Sequence, residues 1–167
     1  MQYFTLEREL PFRAEVVWAA LTTPETYGLW FEGLVEVDPE TVLRAQEDLT
    51  LTIRGSASGD KQRKLTFDVT ALRKPTDEEG LLAFEGRLKP EGLVLGSIRL
   101  KPGLAHTQLT MTLEIAQGSV LLGLFDKPFG ITLASRDRSL RTMLERGLDA
   151  FQKALEVQTR DPYRGIA

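Results

Sequence analysis

His106 has the clearest capacity for acid–base chemistry, because it is the only histidine in the chain. An imidazole titrates near neutral pH and acts as a general base when a partner lies within hydrogen-bond reach. His106 follows a Gly-Leu-Ala turn and precedes a strand-like segment, and no partner is evident beside it. The chain lacks cysteine and any Gly-x-Ser-x-Gly sequence, so neither a thiolate nucleophile nor a serine triad is supported. We therefore interpret His106 as an exposed loop residue.

Carboxylates and glycines offer little further chemistry. The cluster Asp77-Glu78-Glu79 is the densest group of possible ligands for a hard cation, and it lies in a loop between Pro75 and Gly80. Such clusters are usually solvated, because a specific site needs many more oxygen ligands in a fixed geometry. The glycines show neither P-loop nor dinucleotide-binding spacing. We expect no metal ion and no cofactor.

Charge and hydropathy exclude several classes of partner. The formal net charge is −3, so we expect no nucleic-acid partner. A small basic group flanks the turn at residues 55–60 and is interpreted as a solvated hairpin tip. Its members are Arg54, Lys61, Arg63 and Lys64. The longest mostly apolar stretch, residues 120–134, is interrupted by charges and a proline, so no integral membrane segment is expected. The absence of cysteine and of an apolar N-terminal stretch predicts a cytoplasmic protein.

The N-terminal part of the chain is predicted to form a strand followed by two helices. Alternating charged and apolar residues predict a strand over residues 2–10, and apolar residues at helical spacing predict a helix over 14–21. Thr22 and Thr23 precede a proline and are the expected cap of a second short helix that stops near Gly33. The apolar residues of that second helix are Tyr27, Leu29, Trp30 and Phe31.

A period of two dominates from about residue 34 to 116. Each segment places apolar residues on one face and polar, threonine-rich residues on the other, which is typical of an antiparallel sheet covered on one side. The clearest apolar sets are Leu49, Leu51 and Ile53; Leu65, Phe67, Val69 and Ala71; Leu82, Phe84 and Leu88; and Leu109, Met111, Leu113 and Ile115. Proline- and glycine-rich breaks predict the turns between them.

The last third of the chain predicts a long amphipathic helix from about Asp126 to Val157, with apolar residues at three- and four-residue steps. A sheet with one uncovered face needs one cover, and this helix supplies the matching apolar stripe. The sequence therefore predicts a single α+β domain over residues 1–158, followed by a flexible tail over residues 159–167.

The element order, together with the run from Phe12 to Glu25 followed by Leu29-Trp30, resembles the START-like (SRPBCC) helix-grip superfamily. That superfamily includes polyketide cyclase/dehydrase-like proteins and activators of the Hsp90 ATPase. The resemblance implies an antiparallel sheet of about seven strands, curled around the last helix, with a largely apolar cavity between them. It also implies that Trp30 lies near the mouth or wall of that cavity. Trp18, on the apolar stripe of the first helix, is interpreted as structural.

A strongly curved sheet around a single helix is hard to fill at the core packing density of about 0.75. The space left over would suit a small apolar ligand, since such pockets typically measure roughly 300–1,000 Å³. We predict that the side chains facing this space form the ligand-binding site. The predicted set is Trp30, Phe67, Phe84, Met111, Leu113, Phe129, Ile131 and Met143.

The leading functional hypothesis is a protein that binds a small hydrophobic ligand, lipid-like or aromatic, for carriage or sensing. A polyketide cyclase or dehydratase is the first alternative, although no acid–base set of such enzymes can be placed on this sequence and the proline that often follows Trp30 is absent. A chaperone-associated interaction module is the second alternative, because Leu21-Thr22-Thr23-Pro24-Glu25 resembles the Hsp90-activator relatives. Nothing in the sequence indicates an oligomeric state.

Overall fold

The computed structural model describes residues 2–29, 34–37, 42–54, 62–87, 93–115 and 133–160. Within these residues the chain forms strands, two α-helices and one 3₁₀ helix. In chain order they are β1 (Gln2–Leu10), α1 (Ala14–Leu21), the 3₁₀ helix (Pro24–Leu29), β2 (Leu34–Val37), β3 (Asp48–Arg54), β4 (Gln62–Arg73), β5 (Gly80–Arg87), β6 (Leu93–Pro102), β7 (Thr107–Ile115) and α2 (Leu133–Arg160).

All seven strands belong to one antiparallel sheet with the order β1-β7-β6-β5-β4-β3-β2. The helices connect its two edges: the 3₁₀ helix contacts edge strand β2 and also α2, while α2 contacts the opposite edge strand β1. The same helices reach both edges because the sheet curves around them. The predicted α+β helix-grip architecture is confirmed.

The core lies on the concave face of the sheet, where alternate residues of each strand point toward the helices. One part of it, here named the closed cluster, combines residues of β1, α1, β6, β7 and α2 that are no more than 2% exposed. The closed cluster consists of Leu10, Val17, Leu100, Leu109, Phe151 and Leu155. Val94 and Ile115, which face each other at the other end of the β6–β7 pair, are buried as deeply but do not belong to this cluster. Trp18 is also buried in the core, in keeping with a structural role.

The predicted alternation of β4 fails at Ala71. The β4–β5 register shifts between Val69 and Ala71, so that Val69 faces Phe84 but Ala71 faces Ala83. A bulge of this kind inserts one extra residue and reverses the phase of the residues that follow. Leu72 therefore takes the inward position, opposite Leu82, and packs against the core.

The helix that follows α1 differs from the predicted one. It is a 3₁₀ helix, begun by a hydrogen bond from the Thr26 amide to the Thr23 carbonyl at 3.0 Å. The hydroxyls of Thr22 and Thr23 do not cap it. They donate back to the carbonyls of Trp18 at 2.8 Å and Ala19 at 2.6 Å, and so satisfy the carbonyl end of α1.

Helix α2 extends beyond its predicted end at Val157, through Arg160. The Thr159 hydroxyl donates to the Leu155 carbonyl at 3.0 Å, which keeps the last turn helical. Thr159 and Arg160 therefore belong to the helix and not to a tail. The predicted helix start near Asp126 lies outside the described residues, as do residues 161–167. No helix in the described part of the chain is long and apolar enough to cross a membrane.

Candidate functional site

Two phenylalanines on the concave face form the centre of the candidate site. Phe67 on β4 and Phe84 on β5 have ring centroids 5.5 Å apart, and their ring planes are nearly perpendicular at 89°. This edge-to-face arrangement is favourable because the positive edge of one ring meets the negative face of the other. Both rings pack against the core but stay half-buried. The pair therefore presents apolar surface that the rest of the described chain does not fully cover.

The sheet register brings small residues next to both rings. Phe67 faces Gly86 of β5, and Phe84 faces Gly96 of β6. An added Cβ would lie 2.6 Å from the Phe67 ring at Gly86 and 2.2 Å from the Phe84 ring at Gly96. Each ring thus occupies the space that a side chain on the neighbouring strand would need.

Strand β7 contributes the next two predicted site residues. Leu113 faces Gly96, so it lies in the same cross-strand row as Phe84, and it is buried. Met111 lies in the adjacent row opposite Ile98 and is half-buried. Its thioether is flexible and polarisable, which suits an adaptable apolar wall. The structure therefore places Phe84, Leu113 and Met111 on one continuous part of the concave face.

Helix α2 contributes Met143, which is half-buried and packs against the core. Further along the same helix, Leu148 and Phe151 are buried. The cover over the sheet is thus tight toward the C-terminal end of α2 and looser at Met143. Phe67, Phe84, Met111 and Met143 are named here the half-buried patch.

Trp30, Phe129 and Ile131, the other predicted site residues, lie outside the described residues. Trp30 directly follows the 3₁₀ helix in the chain. That helix, α1 and α2 line a small, partly open cavity of about 10 Å³, about the size of one water molecule. Its lining residues are Ala20, Thr26, Leu29, Phe151, Ala154, Leu155 and Gln158.

Polar groups on the concave side are paired. Arg8 occupies an inward position of β1, opposite Leu109, and its Nη1 lies 2.6 Å from Oδ1 of Asp149 on α2. Thr107 is fully buried, and its hydroxyl donates to the Phe12 carbonyl at 2.7 Å. The first contact fastens α2 to β1, and the second fastens β7 to the turn between β1 and α1. Neither role is evident from the sequence, because the partners are 141 and 95 residues apart in the chain.

Tyr27 was predicted only as an apolar residue of the second helix, yet its hydroxyl is buried and polar. It donates to the Leu21 carbonyl. Burial raises the pKa of Tyr27 well above its ordinary value, because the phenolate would be poorly solvated there. The side chain therefore stays neutral and connects the 3₁₀ helix to the end of α1.

The residues first considered for catalysis or metal binding lie away from the half-buried patch. His106 is exposed in the β6–β7 turn, where its carbonyl accepts from the Gly103 amide at 2.8 Å. In the acidic loop, Asp77 and Glu78 are exposed, and Glu79 lies 3.9 Å from Arg99. The described residues contain no group of three or more side chains arranged to hold a metal ion. The side chains of the basic group around residues 55–60 lie outside the described ones.

The convex face carries a pair of carboxylates. Asp48 and Asp68 face each other in the β3–β4 register, on the opposite side of the sheet from Leu49 and Phe67. A hydrogen bond with Asp68, and then the charge of that group, raise the pKa of Asp48 above its ordinary value. The pair is remote from the concave face and is not part of the candidate site.

Comparison with known proteins agrees with this geometry. A helix-grip sheet with an apolar concave face defines the START-like class, and the resemblance predicted from the sequence is confirmed. The chain belongs to the polyketide cyclase / dehydrase and lipid transport family, whose model matches residues 1–156. No curated protein matches the sequence at a significant level. The family description joins enzymes and lipid carriers, and its fold suggests binding of a hydrophobic ligand.

Solved structures share the fold across nearly the whole chain. A conserved protein of Geobacillus kaustophilus is 19% identical with a TM-score of 0.68, covering 94% of this chain and 97% of its own. A protein of Chromobacterium violaceum is 17% identical with a TM-score of 0.67, covering 92% and 96%. Ara h 8.0201 is 9% identical with a TM-score of 0.66, covering 93% and 98%. At these identities the likeness shows the fold alone.

Proposed function

We propose that this protein binds a small hydrophobic ligand, lipid-like or aromatic, between the concave face of the sheet and α2, for carriage or sensing. The observation that carries the proposal is the half-buried patch. Its four side chains are apolar and point inward, yet each keeps accessible surface. Large apolar side chains in this position are normally either buried by packing or covered by a ligand.

The energetics of such a site come mainly from burial. Each Å² of apolar surface removed from water contributes about 25 cal/mol. A ligand that buries about 300 Å² would thus gain about 7 kcal/mol, before the cost of association is subtracted. Phe67 and Phe84 would supply ring surface, while Met111, Leu113 and Met143 would adapt to the ligand shape. Trp30, Phe129 and Ile131 complete the proposed set of contacts.

The polar content of the concave face favours binding over catalysis. Among the described side chains on the inward phase of β3 to β7, that of Thr107 alone is polar, and it is already bonded to Phe12. On β1, Arg8 is paired with Asp149. A cyclase or dehydratase would need an acid–base pair facing the substrate. That alternative is supported by the family description and would require such groups from other parts of the chain.

The interaction-module alternative rested on the run from Leu21 to Glu25. Leu21 is 3% exposed, and Pro24 is fully buried. The apolar residues of this run therefore serve the core and are not presented to a partner. This burial favours the ligand-binding proposal over the chaperone-associated one.

Native mass spectrometry of the protein purified from its own host would test the proposal. We expect an adduct that is lost after denaturation and is recovered in an organic extract as a lipid or aromatic compound. Protein carrying Phe84→Ala should retain less of this adduct, whereas protein carrying Ser97→Ala, on the outer face of the next strand, should retain as much as the wild type. Protein with no extractable adduct that also binds no hydrophobic probe would contradict the proposal.

A further inference from the structure

Gly86 and Gly96 occupy interior positions of two central strands, where glycine is not needed for the backbone conformation. Neither has the left-handed backbone conformation that favours glycine, so the backbone at these positions accepts any L-residue. A glycine in a strand interior is otherwise unfavourable, because it adds conformational entropy to the unfolded chain and packs nothing. Their presence on two adjacent central strands therefore needs another explanation, and the space above them supplies one.

The space above Gly86 is filled by the ring of Phe67. The ring atoms Cε1 and Cδ1 of Phe67 lie 2.6 and 2.7 Å from the place of the missing Cβ. No real Cβ approaches a ring so closely, so the ring lies where it does only because residue 86 is glycine.

The space above Gly96 is filled in the same way by Phe84. The ring tip of Phe84 lies 2.2 Å from the place of the missing Cβ, and the neighbouring Cε2 lies at 2.4 Å. The two ring–glycine pairs are offset by one strand, since Phe67 leans from β4 over β5 and Phe84 leans from β5 over β6. The edge-to-face contact between the rings couples the two pairs.

A phenyl ring that leans over a neighbouring glycine lies low against the sheet. A methyl group at either glycine would raise the ring away from the backbone and into the concave space. Because the rings lie between the sheet and any ligand held under α2, their height sets the depth of the site.

We propose that Gly86 and Gly96 are specificity-determining residues that, by keeping the rings of Phe67 and Phe84 close to the sheet, set the maximum cross-section of the hydrophobic ligand. This inference rests on the proposed function, because it assumes that the ligand lies against the half-buried patch. It predicts discrimination by shape: bulky ligands, whose ring systems do not lie in one plane, depend on both glycines, whereas narrow, linear chains depend on them much less.

Two fluorescent probes would test the inference: N-phenyl-1-naphthylamine, whose two ring systems are twisted out of one plane, as the bulky ligand, and cis-parinaric acid, a single chain, as the narrow one. Titration of the full chain gives a dissociation constant for each. Gly96→Ala should weaken N-phenyl-1-naphthylamine binding at least about tenfold, since one misplaced methyl group in an apolar pocket is worth roughly 10–200-fold. Binding of cis-parinaric acid should change less than about threefold, a fraction of that effect. Gly86→Ala should act in the same direction.

Double variants distinguish a specific effect on the ring from a general folding defect. Gly96→Ala combined with Phe84→Leu replaces the ring that the methyl group displaces by a smaller apolar side chain, so affinity for the bulky probe should rise from that of Gly96→Ala to that of Phe84→Leu alone. Gly96→Ala combined with Phe67→Leu should not recover, because the Phe67 ring lies over Gly86 instead. Gly28→Ala is the matched glycine control, since a Cβ there meets nothing within 4 Å. Thermal melting identifies any variant that fails to fold.

The outcomes separate the inference from the proposed function. If wild-type protein binds neither probe, the proposed function fails and the inference fails with it. If wild-type protein binds both probes and the glycine variants bind both equally well, the ligand site stands and the inference is overturned. Rescue by Phe67→Leu as effective as rescue by Phe84→Leu would also overturn it, since the effect would then not depend on the ring over Gly96.

Discussion

The closed cluster and the half-buried patch lie on the same concave face but are covered to different degrees. In the closed cluster, α1 and the C-terminal half of α2 leave no residue more than 2% exposed. In the half-buried patch, residues of similar size and hydrophobicity keep accessible surface. The difference is thus in the covering elements and not in residue type. The difference teaches that apolar side chains of the same kind are fully covered in one region and only partly covered in the other, and the proposed ligand would supply the missing cover.

Helix α2 shows the contrast within a single element. Leu148, Phe151 and Leu155 are buried, whereas Met143 and Leu144 are half-buried. The buried residues lie near the Arg8–Asp149 ion pair, which fastens this part of the helix to β1. Arg141 also donates to the Thr5 carbonyl of β1 at 3.4 Å, so the part of α2 that carries Met143 is held to the sheet as well, and the contrast between the two parts lies in how far their apolar side chains are covered.

The largest effect should come from the closed cluster. Phe151→Ala should reduce the free energy of unfolding by about 3–5 kcal/mol, because it removes a fully packed ring and leaves a cavity. Val157→Ala on the same helix, where the residue is 50% exposed, should cost less than about 0.5 kcal/mol. Urea unfolding of both variants measures this difference, and equal losses would contradict the existence of a distinct closed cluster.

Thr107 should matter next most. Thr107→Val keeps the shape of the side chain but removes its hydrogen bond to the Phe12 carbonyl, which then stays buried without that donor. We expect a loss of about 1–3 kcal/mol in unfolding free energy. Thr110→Val, on the outer face of the same strand, is the control and should change stability by less than about 0.5 kcal/mol. A Thr107→Val protein as stable as the control would show that the Thr107–Phe12 hydrogen bond does not stabilise the fold.

Phe84→Ala should reduce ligand affinity strongly and stability only slightly, which is the opposite of the effect expected for Phe151→Ala. Because the ring is half-buried, we expect a stability loss of only about 1–2 kcal/mol. Affinity for N-phenyl-1-naphthylamine should fall at least about tenfold, since a main wall of the proposed site is gone. Phe151→Ala measured at a temperature where it stays folded should keep most of that affinity. If Phe151→Ala proved the more damaging to binding, the division between the two regions would be wrong.

Much of the fold was predictable because its signals are local. Proline and glycine mark the turns, and the period of two assigns the inward faces of β3, β5 and β7 correctly for the residues that the structure describes. The bulge in β4 was not predictable, since Ala71 continues an unbroken alternation and only pairing with β5 reverses its phase. The 3₁₀ form of the second helix was also missed, because the Thr23 hydroxyl satisfies the end of α1 instead of capping the second helix.

The sequence predicts which apolar residues of the candidate site face inward, but it does not predict which of them contact one another. Phe67 and Gly86 are far apart in the chain, and their contact depends on the β4–β5 register. The Arg8–Asp149 pair joins residues separated by 141 positions, which no local pattern can connect. Interactions that depend on long-range register and helix placement lie beyond what periodicity alone can give.

The Arg8–Asp149 ion pair should have a smaller effect than the buried contacts. Asp149 is 61% exposed on its side chain, so water and salt screen the attraction. Asp149→Asn should reduce the free energy of unfolding by about 0.2–1 kcal/mol at low salt, and by less at high salt. Urea titrations at two ionic strengths measure the change. A loss that does not depend on salt would show that the contact acts by packing and not by charge.

The smallest effect is expected on the convex face, from Asp48. Its pKa is raised in the folded state, so the folded protein binds this proton more readily than the unfolded chain. Stability should therefore fall slightly as the pH rises from the ordinary aspartate pKa through the raised one. Asp48→Asn should remove this dependence and leave probe binding unchanged, as measured by melting temperature and titration across that range. An unaltered pH profile in the variant would assign the dependence to other groups.

The central claim, that the ligand lies against the half-buried patch, is tested most directly by the methionine methyl groups. The chain has three methionines, and two of them, Met111 and Met143, belong to the patch. In protein with ¹³C-labelled methionine methyls, saturation with N-phenyl-1-naphthylamine should shift the resonances of Met111 and Met143. Met111→Leu assigns the signals. Saturation by fluorescence with no shift at Met111 or Met143 would place the ligand elsewhere and contradict the account.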